Sequence, residues 1–391
     1  MRKTDLEQAF EDLFEWCRHR DFAGHDPFDA LNSKLFQGSP FKQSQLARLL
    51  WTQLFKRSPL NLRQPALVPS RKNAKGIALF ALAELSVFRR KQSAKAETEI
   101  RRLLDELVGL QITGYSGPAW GYHFDWQSRH FFAPEGMPMI VPTAFAARAF
   151  IEAYEAFADE AYLKTARGTC EFILNDLKTP VDLPGEICFS YSPIDDTRIF
   201  NASLLAAETL ASVGSITEES ELCDLALRAA RYVVRKQRGN GSWVYGDDPG
   251  QGWVDNFHTA YVLLSLKRIM KSCSRPDVEF SEPLKRGYQF WRDSFFLADG
   301  WPKYYHDTLY PADAHAAASA IVALVELQEL DRGAVPLAER IADWTLSNLR
   351  DASGYFYYQR KRFITIRTPF MRWTEGWMTY ALARLLEAKG T

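Results

Sequence analysis

The sequence predicts an all-α protein whose helices form an (α/α)6 barrel, a toroid of six helical hairpins, with one extra N-terminal helix. Three observations predict this fold. A helical unit recurs about every 58 residues, strongly apolar helical segments alternate with amphipathic ones, and a glycine–aromatic marker recurs in the loops between them. Repeats of this kind are typical of architectures in which each unit buries its apolar face against its neighbours.

Six segments rich in alanine and leucine are predicted to form the inner ring of the barrel. Their apolar residues recur at intervals of three and four, and small residues occupy several helix faces. This pattern is expected of helices that are packed on all sides. The segments are 75–90, 141–157, 199–213, 255–270, 311–328 and 372–388.

Six amphipathic segments are predicted to form the outer ring, because one face is apolar and the other is charged. They are 43–57, 97–110, 159–177, 218–237, 282–297 and 335–350. The chain before residue 40 is interpreted as the extra helix, followed by a Gly/Pro-rich connection that packs outside the ring. The expected division is therefore 1–40 for this element and 41–391 for the barrel.

Polar residues near the starts of the inner helices set the register of the repeat. Thr143, Asn201, His258, His315 and Glu375 follow one another at intervals of 58, 57, 57 and 60 residues. Residues that favour helix starts accompany them. Because the inner helices of a hairpin barrel all begin at one end, these five side chains are predicted to share that end.

Aromatic markers recur in the loops that lead into the inner helices. They are Trp120–Tyr122, Phe189–Tyr191, Trp243–Tyr245, Trp301–Tyr304 and Tyr355–Tyr357. Long loops such as these are usually functional or disordered, and their aromatic content argues against disorder. We therefore expect the loops to wall a cleft over the inner-helix N-termini.

Charge and composition exclude several classes of function. Lys+Arg and Asp+Glu both number 48, so the formal net charge is zero, which argues against nucleic-acid binding. No signal peptide or membrane span is predicted, and five scattered cysteines suit reduced thiols in the cytoplasm. Without a His pair at i, i+4, a Cys/His cluster or a Gly-rich phosphate loop, we expect no metal and no cofactor.

The predicted cleft concentrates ionisable side chains that suit two kinds of chemistry. Glycoside hydrolysis needs two carboxylates, whereas a Tyr beside a His, as in Tyr261 and His258, can move the protons of a β-elimination. The candidate catalytic residues are Asp125, Asp196, Asp255, His258, His315 and Glu375. The candidate substrate-binding residues are Trp120, His123, Trp126, Arg198, Asn201, Trp243, Trp253, Tyr261, Trp301, Arg372 and Trp373.

The last loop, from Gln359 to Arg372, is locally basic. Two interpretations stay open for it. It is either an ordinary solvated face or a site that receives the carboxylates of uronate sugars.

Taken together, the repeat and its markers resemble the six-hairpin glycosidase-like proteins, which include unsaturated glucuronyl hydrolases, sugar 2-epimerases and several polysaccharide lyases. The resemblance covers 43–388 as architecture and only the loop and helix-start markers as motif. It implies an oligo- or polysaccharide substrate. In addition, TGYSGPAWGYHFDWQSR followed by VPTAFAARAFIEAYE is similar to proteins encoded in bacterial exopolysaccharide biosynthesis clusters.

Three hypotheses for function remain. The first is a carbohydrate-active enzyme, with hydrolase, lyase and epimerase considered in that order. The second is a non-catalytic glycan-binding or scaffold protein of exopolysaccharide assembly. The third is a terpenoid-cyclase-like barrel, because the stretch from Arg228 to Trp243 resembles the QW repeat of those enzymes, although their D-x-D-D acid motif is absent. The sequence does not bear on oligomeric state.

Overall fold

The computed structural model describes residues 3–274 and 278–390, and helices make up most of it. In chain order the α-helices are α1 Lys3–Arg18, α2 Lys34–Gln37, α3 Gln45–Arg57, α4 Ala74–Lys91, α5 Ala94–Gly109, α6 Ile140–Phe157, α7 Glu160–Asn175, α8 Phe200–Thr217, α9 Ser220–Arg235, α10 Asn256–Ser272, α11 Val278–Phe295, α12 Ala314–Glu326, α13 Ala334–Leu349 and α14 Gly376–Gly390. A π-helical turn, Met371–Glu375, leads into α14.

The even-numbered helices from α4 to α14 form the inner ring. Each contacts the next along the chain, and α14 contacts α4, so the ring closes. The structure thus confirms the predicted (α/α)6 barrel. Alanines on these helices are almost completely buried, as in α12, where Ala316, Ala317 and Ala320 have no exposed surface. Small side chains let six helices approach one axis closely.

The outer ring differs from the predicted one in its first member. Helices α5, α7, α9, α11 and α13 pack on the inner helices that precede them, and α1 packs on α14 to complete the sixth hairpin. The predicted outer segment 43–57 instead forms α3, which lies on the short 3-10 turns Asp29–Asn32 and Pro40–Gln43. α1 buries a full apolar stripe, whereas only Thr52 and Phe55 of α3 are buried. The N-terminal helix is therefore part of the barrel.

Short antiparallel strands brace the loops at one end of the barrel. β1 (Trp126–Gln127) pairs with β2 (Phe132–Ala133), and β3 (Val181–Leu183) pairs with β4 (Glu186–Cys188). β5 (Ala312–Asp313), β6 (Gln359–Arg360) and β7 (Thr365–Ile366) form a three-stranded sheet. The sheet ties the last loop to the start of α12.

A buried charged network fills the barrel axis toward the C-terminal ends of the inner helices. Glu208 of α8 pairs with Arg148 of α6 and with Arg268 of α10, and it accepts a hydrogen bond of 2.8 Å from Ser265. Arg268 also pairs with Glu326 of α12. Four inner helices are thereby joined away from the cleft. Among the described residues, no helix is long and apolar enough to cross a bilayer.

Candidate active site

A cavity of about 510 Å³ lies over the N-termini of the inner helices. Near its start, each inner helical segment contributes a lining residue: Lys75, Val141, Asn201, Phe257, His315 and Arg372. The interhelical loops supply most of the aromatic wall: Tyr122, Phe124, Trp126, Phe131, Tyr191, Tyr245, Trp253, Tyr304 and Tyr305. The location of the cleft agrees with the sequence prediction.

The recurring loop marker divides its aromatic residues between two tasks. The first aromatic is buried against the barrel, as shown by the indole of Trp120, which donates to the Leu107 carbonyl at 2.7 Å. The indole of Trp243 similarly donates to the Val233 carbonyl at 2.9 Å. The later aromatic lines the cavity, as Tyr122 does. In the first four markers, the first ring is therefore buried and the last ring faces the cavity, whereas neither Tyr355 nor Tyr357 of the fifth marker lines it.

Five buried side chains form a floor layer across the barrel axis: Lys75, Phe145, Tyr261, His315 and Trp377. The Lys75 side-chain nitrogen lies 3.1 Å from Tyr261 Oη, which lies 2.8 Å from His315 Nε2. The Lys75 nitrogen is also 4.4 Å from the centre of the Phe145 ring. Tyr261 and Trp377 stack with ring centres 5.4 Å apart. Residues of five inner helices thus form one hydrogen-bonded and aromatic layer.

Burial sets the protonation of this layer. It lowers the pKa of Lys75 well below its usual value, and the nearby Arg372 guanidinium lowers it further. Burial also lowers the pKa of His315, so its imidazole is neutral near pH 7. The pKa of Tyr261 is raised well above its usual value, again by burial. Lys75 can therefore donate to the Tyr261 phenol, and that phenol can donate to the neutral His315 ring.

Asp255 both caps α10 and orients His258. Its Oδ1 accepts the backbone N–H of His258 at 2.9 Å, and its Oδ2 lies 2.6 Å from His258 Nδ1. The indole of Trp253 donates to the same Oδ2 at 3.0 Å. Because Asp255 engages Nδ1, Nε2 is the ring nitrogen left to exchange a proton with a ligand. Asp255 therefore fixes both the start of α10 and the orientation of the candidate base His258.

Arg372 and Lys56 place positive charge at the cavity. Arg372 donates to both carboxylate oxygens of Asp26, at 2.6 and 2.8 Å, so its charge is balanced. Lys56 Nζ instead lies 4.2 Å from the centre of the Phe28 ring and pairs with no carboxylate among the described residues. Burial lowers the pKa of Lys56 to about 8.

Glu375 does not line the cavity, which changes the register predicted for the last repeat. Its Oε2 accepts the backbone N–H of Phe356 at 2.9 Å and so holds the segment between α13 and α14. Burial raises the pKa of Glu375 well above its usual value, which keeps the carboxyl protonated. Arg372, which follows His315 by the regular 57 residues, lines the cavity instead. The π-helical turn Met371–Glu375 displaces Glu375 from the inward-facing position.

Two other candidate catalytic carboxylates also lie away from the cavity. Asp196 is 74% exposed and pairs with Lys178 at 2.8 Å. Asp125 accepts hydrogen bonds from Gln37 and from the backbone N–H of Glu135, at 3.1 and 2.8 Å. Both residues stabilise loops. Among the described residues that line the cavity, none is an aspartate or a glutamate.

The candidate binding residues divide in a similar way. Those that line the cavity are Trp126, Asn201, Trp253, Tyr261, Arg372 and Trp373. Those that do not are Trp120, His123, Arg198, Trp243 and Trp301. His123 contacts Asn73, Arg198 pairs with Asp248, and the Trp301 indole donates to the Leu309 carbonyl. Within the described chain, the buried Oδ1 of Asn201 has no hydrogen-bond partner, so it can accept one from a ligand.

Several residues that line the cavity were not predicted from the sequence. Lys75 and Lys56 carry none of the markers used, because the first inner helix follows no glycine–aromatic loop and α3 was assigned to the outer ring. The second aromatics of the markers, such as Tyr122 and Tyr191, were a usable signal. Their hydroxyl oxygens lie 3.1 Å apart in the cavity wall.

No protein-family profile and no curated protein matches the chain. Solved six-hairpin structures resemble it, among them a cellobiose 2-epimerase from Bacillus thermoamylovorans, with TM-score 0.65 and 13% identity over 82% of this chain and 87% of that chain. An unsaturated glucuronyl hydrolase from Bacillus sp. GL1 has TM-score 0.63 and 12% identity over 98% and 96%. A GH76 α-mannanase from Bacteroides thetaiotaomicron has TM-score 0.62 and 13% identity over 81% and 86%. At these identities the likeness establishes the fold.

Proposed function

We propose that this protein is a carbohydrate-active enzyme that moves protons on a sugar, as an epimerase or aldose–ketose isomerase does. The observation that carries the proposal is the lining of the cavity. It contains His258 and His315 on neighbouring inner helices, and no carboxylate among the described lining residues. The Phe257 ring contacts both imidazoles, with ring centres 3.9 and 4.7 Å away.

This lining supports proton transfer on a sugar better than it supports hydrolysis of a glycosidic bond. A glycosidase of the usual kind needs two carboxylates that flank the scissile bond. Asp125, Asp196 and Glu375, which were candidates for that pair, face other parts of the protein. Asp255 contacts His258 and acts on a ligand through it.

The proposed reaction needs a base and an acid. His258, oriented by Asp255, removes the proton from the carbon next to the carbonyl of an open-chain sugar, and the C–H electron pair forms an enediolate. Positive charge from Lys56, which lines the cavity and pairs with no carboxylate among the described residues, stabilises the developing oxyanion. The Tyr261 hydroxyl gives a proton to the opposite face of that carbon, or to the neighbouring carbon while the proton of the C2 hydroxyl moves to the former carbonyl oxygen. Proton exchange with water then restores His258 and Tyr261. The first outcome inverts the centre, the second isomerises the sugar, and neither consumes an oxidant or a reductant.

β-Elimination from a uronate is a second candidate, favoured by one observation. Lys56 at the cavity and Arg129 at its mouth have no carboxylate partner among the described residues, and each faces an aromatic ring instead. Unbalanced cations of this kind suit the carboxylate of a uronic acid. Elimination would use the same base, with Tyr261 donating its proton to the leaving oxygen.

The similar solved structures and the residues of the cavity floor support a carbohydrate substrate over the other hypotheses. Solved structures with this fold include enzymes named for epimerising cellobiose and for hydrolysing unsaturated glucuronyl units. A terpenoid cyclase needs an apolar cavity with an acid at its apex, whereas this floor carries Lys75 and His315. A scaffold protein has no need of a hydrogen-bonded Tyr–His pair at the base of its cavity. The role in exopolysaccharide biosynthesis rests on the sequence resemblance.

Incubation with neutral and uronate mono- and disaccharides in deuterium oxide, followed by NMR, tests the proposal. We expect a new epimer or ketose that carries deuterium at the exchanged carbon, and we expect His258→Asn and His315→Asn to abolish exchange. An unsaturated uronate product would establish elimination instead. Cleaved glycan without carbon-bound deuterium would overturn both in favour of hydrolysis.

A further inference from the structure

Helix α3 has an exposed apolar face beside the cavity mouth. Leu46, Leu50 and Leu54 recur every four residues and are 66%, 62% and 53% exposed. A neighbouring face of the same helix lines the cavity through Gln53 and Lys56. A row of large apolar side chains exposed to solvent is unusual on a protein surface and marks an interaction site.

The apolar surface continues on both sides of α3. Phe41 precedes the helix, Leu60 follows it, and Phe363 at the tip of the β6–β7 hairpin is 85% exposed. The hairpin reaches the end of α3, where Lys361 donates to the Arg57 carbonyl at 3.4 Å. We call this surface the apolar rim and define it as Phe41, Leu46, Leu50, Leu54, Leu60 and Phe363.

The segments that carry the rim are basic and contain no acid. No Asp or Glu occurs between residues 30 and 83 or between 352 and 374. Lys34, Lys42, Arg57 and Arg362 are exposed beside the rim. Within the described residues, none of these four forms a salt bridge with a carboxylate. Although the formal net charge of the chain is zero, unbalanced positive charge is thus concentrated around its most exposed apolar side chains.

We propose that the apolar rim docks on an anionic lipid surface as a peripheral contact. The leucine and phenylalanine side chains would enter the headgroup boundary, while the flanking lysines and arginines meet lipid phosphates. Self-association fits less well, because a symmetric dimer would bring two basic surfaces together. An acidic polysaccharide would pair with the cations but would leave the leucines in water.

The position of the rim gives this contact a consequence for the cavity. Because α3 presents Gln53 and Lys56 to the cavity and the leucines to the membrane, the cavity mouth opens at the lipid surface. A glycan attached to a lipid could then enter without leaving the membrane.

Flotation with lipid vesicles tests this inference. We expect the full chain to float with vesicles of phosphatidylcholine mixed with phosphatidylglycerol and to stay behind with phosphatidylcholine alone. A Leu50→Ser/Leu54→Ser/Phe363→Ser variant should lose about tenfold or more in vesicle affinity, since each side chain contributes buried apolar area. A Lys34→Gln/Lys42→Gln/Arg57→Gln/Arg362→Gln variant should bind more weakly at low salt.

A matched control is Leu183→Ser/Leu297→Ser, which changes leucines that are 56% and 41% exposed outside the rim. It should bind vesicles as the unmodified protein does. Circular dichroism and thermal unfolding establish that each variant is folded, and turnover of a soluble sugar should be unchanged in all of them. Equal binding to neutral vesicles, or none to anionic ones, would overturn the inference. So would dimerisation that only the rim variant loses, since the rim would then join two copies of the chain.

Discussion

Lys75 and Tyr261 reach the barrel axis from opposite inner helices and meet there, with Nζ 3.1 Å from Oη. Lys75 lies at the start of α4, and α10, which carries Tyr261, stands three places away in the six-helix ring. Lys75 has no carboxylate partner among the described residues and is 2% exposed. A buried amine in such a site is costly to charge. The proposed function gives this lysine a role, because it donates a hydrogen bond to Tyr261, the candidate acid.

Replacement of Lys75 should abolish activity while it raises stability. Lys75→Met should abolish deuterium exchange into a sugar substrate and raise the free energy of unfolding at pH 7 by roughly 1 kcal/mol. The unfolded chain binds the Lys75 proton at a higher pH than the folded chain does, so folding loses stability as pH falls below about 10.4. The stability gained by Lys75→Met should therefore be smaller at pH 10 than at pH 7. Urea unfolding at both values measures this, with Lys91→Met, an exposed change on the same helix, as the control.

Asp255 can be tested as a positioning residue with two substitutions. Asp255→Asn keeps a good helix cap, so stability should stay close to that of the unmodified protein, while kcat falls by about 100-fold or more. Asp255→Ala should also lose about 1 kcal/mol of stability, because the cap is gone. The imidazole tautomer of His258, read from nitrogen chemical shifts, should change in both variants. An unchanged tautomer with full activity would contradict the orienting role.

Glu375→Gln should leave catalysis intact. The carboxyl is protonated in the folded state, and glutamine can accept the same hydrogen bond from Phe356. The folded chain holds the Glu375 proton to a higher pH than the unfolded chain, so the original protein loses stability as pH rises above about 4.3. The variant lacks this loss and should gain relative stability between pH 4 and pH 7. A large fall in kcat with normal folding would restore Glu375 as a catalytic candidate.

His123 should contribute to acid sensitivity. Burial lowers its pKa to about 4, whereas in the unfolded chain it titrates near 6.5. Between these values the unfolded chain alone binds the proton, so stability falls as pH drops, by about 1.4 kcal/mol per pH unit from this group. His123→Gln should flatten the curve of melting temperature against pH in that window. His19→Gln, at an exposed histidine, should leave the curve unchanged.

The inner ring could be predicted from the sequence because its physical cause is local. Runs of alanine and leucine with helix-start residues determine where such helices begin, and His258 and His315 were placed correctly at the cavity. The sixth outer helix could not be assigned, because α1 and α3 are both amphipathic and only ring closure distinguishes them. Glu375 was misplaced because one π-helical turn shifts the register. Trp120 and Trp243 were assigned to the site because sequence does not distinguish an anchoring ring from an exposed one.

The floor layer and the charged network beneath it leave the barrel no passage along its axis. Within the described chain, these two layers close the cavity at its base. A cavity of about 510 Å³ is of a size that encloses a small ligand. On the proposed function, a cavity closed at its base suits the terminal unit of a glycan better than the middle of a long chain. If the proposed function holds, we expect action at chain ends or on free sugars, with polymer length nearly unchanged at each turnover.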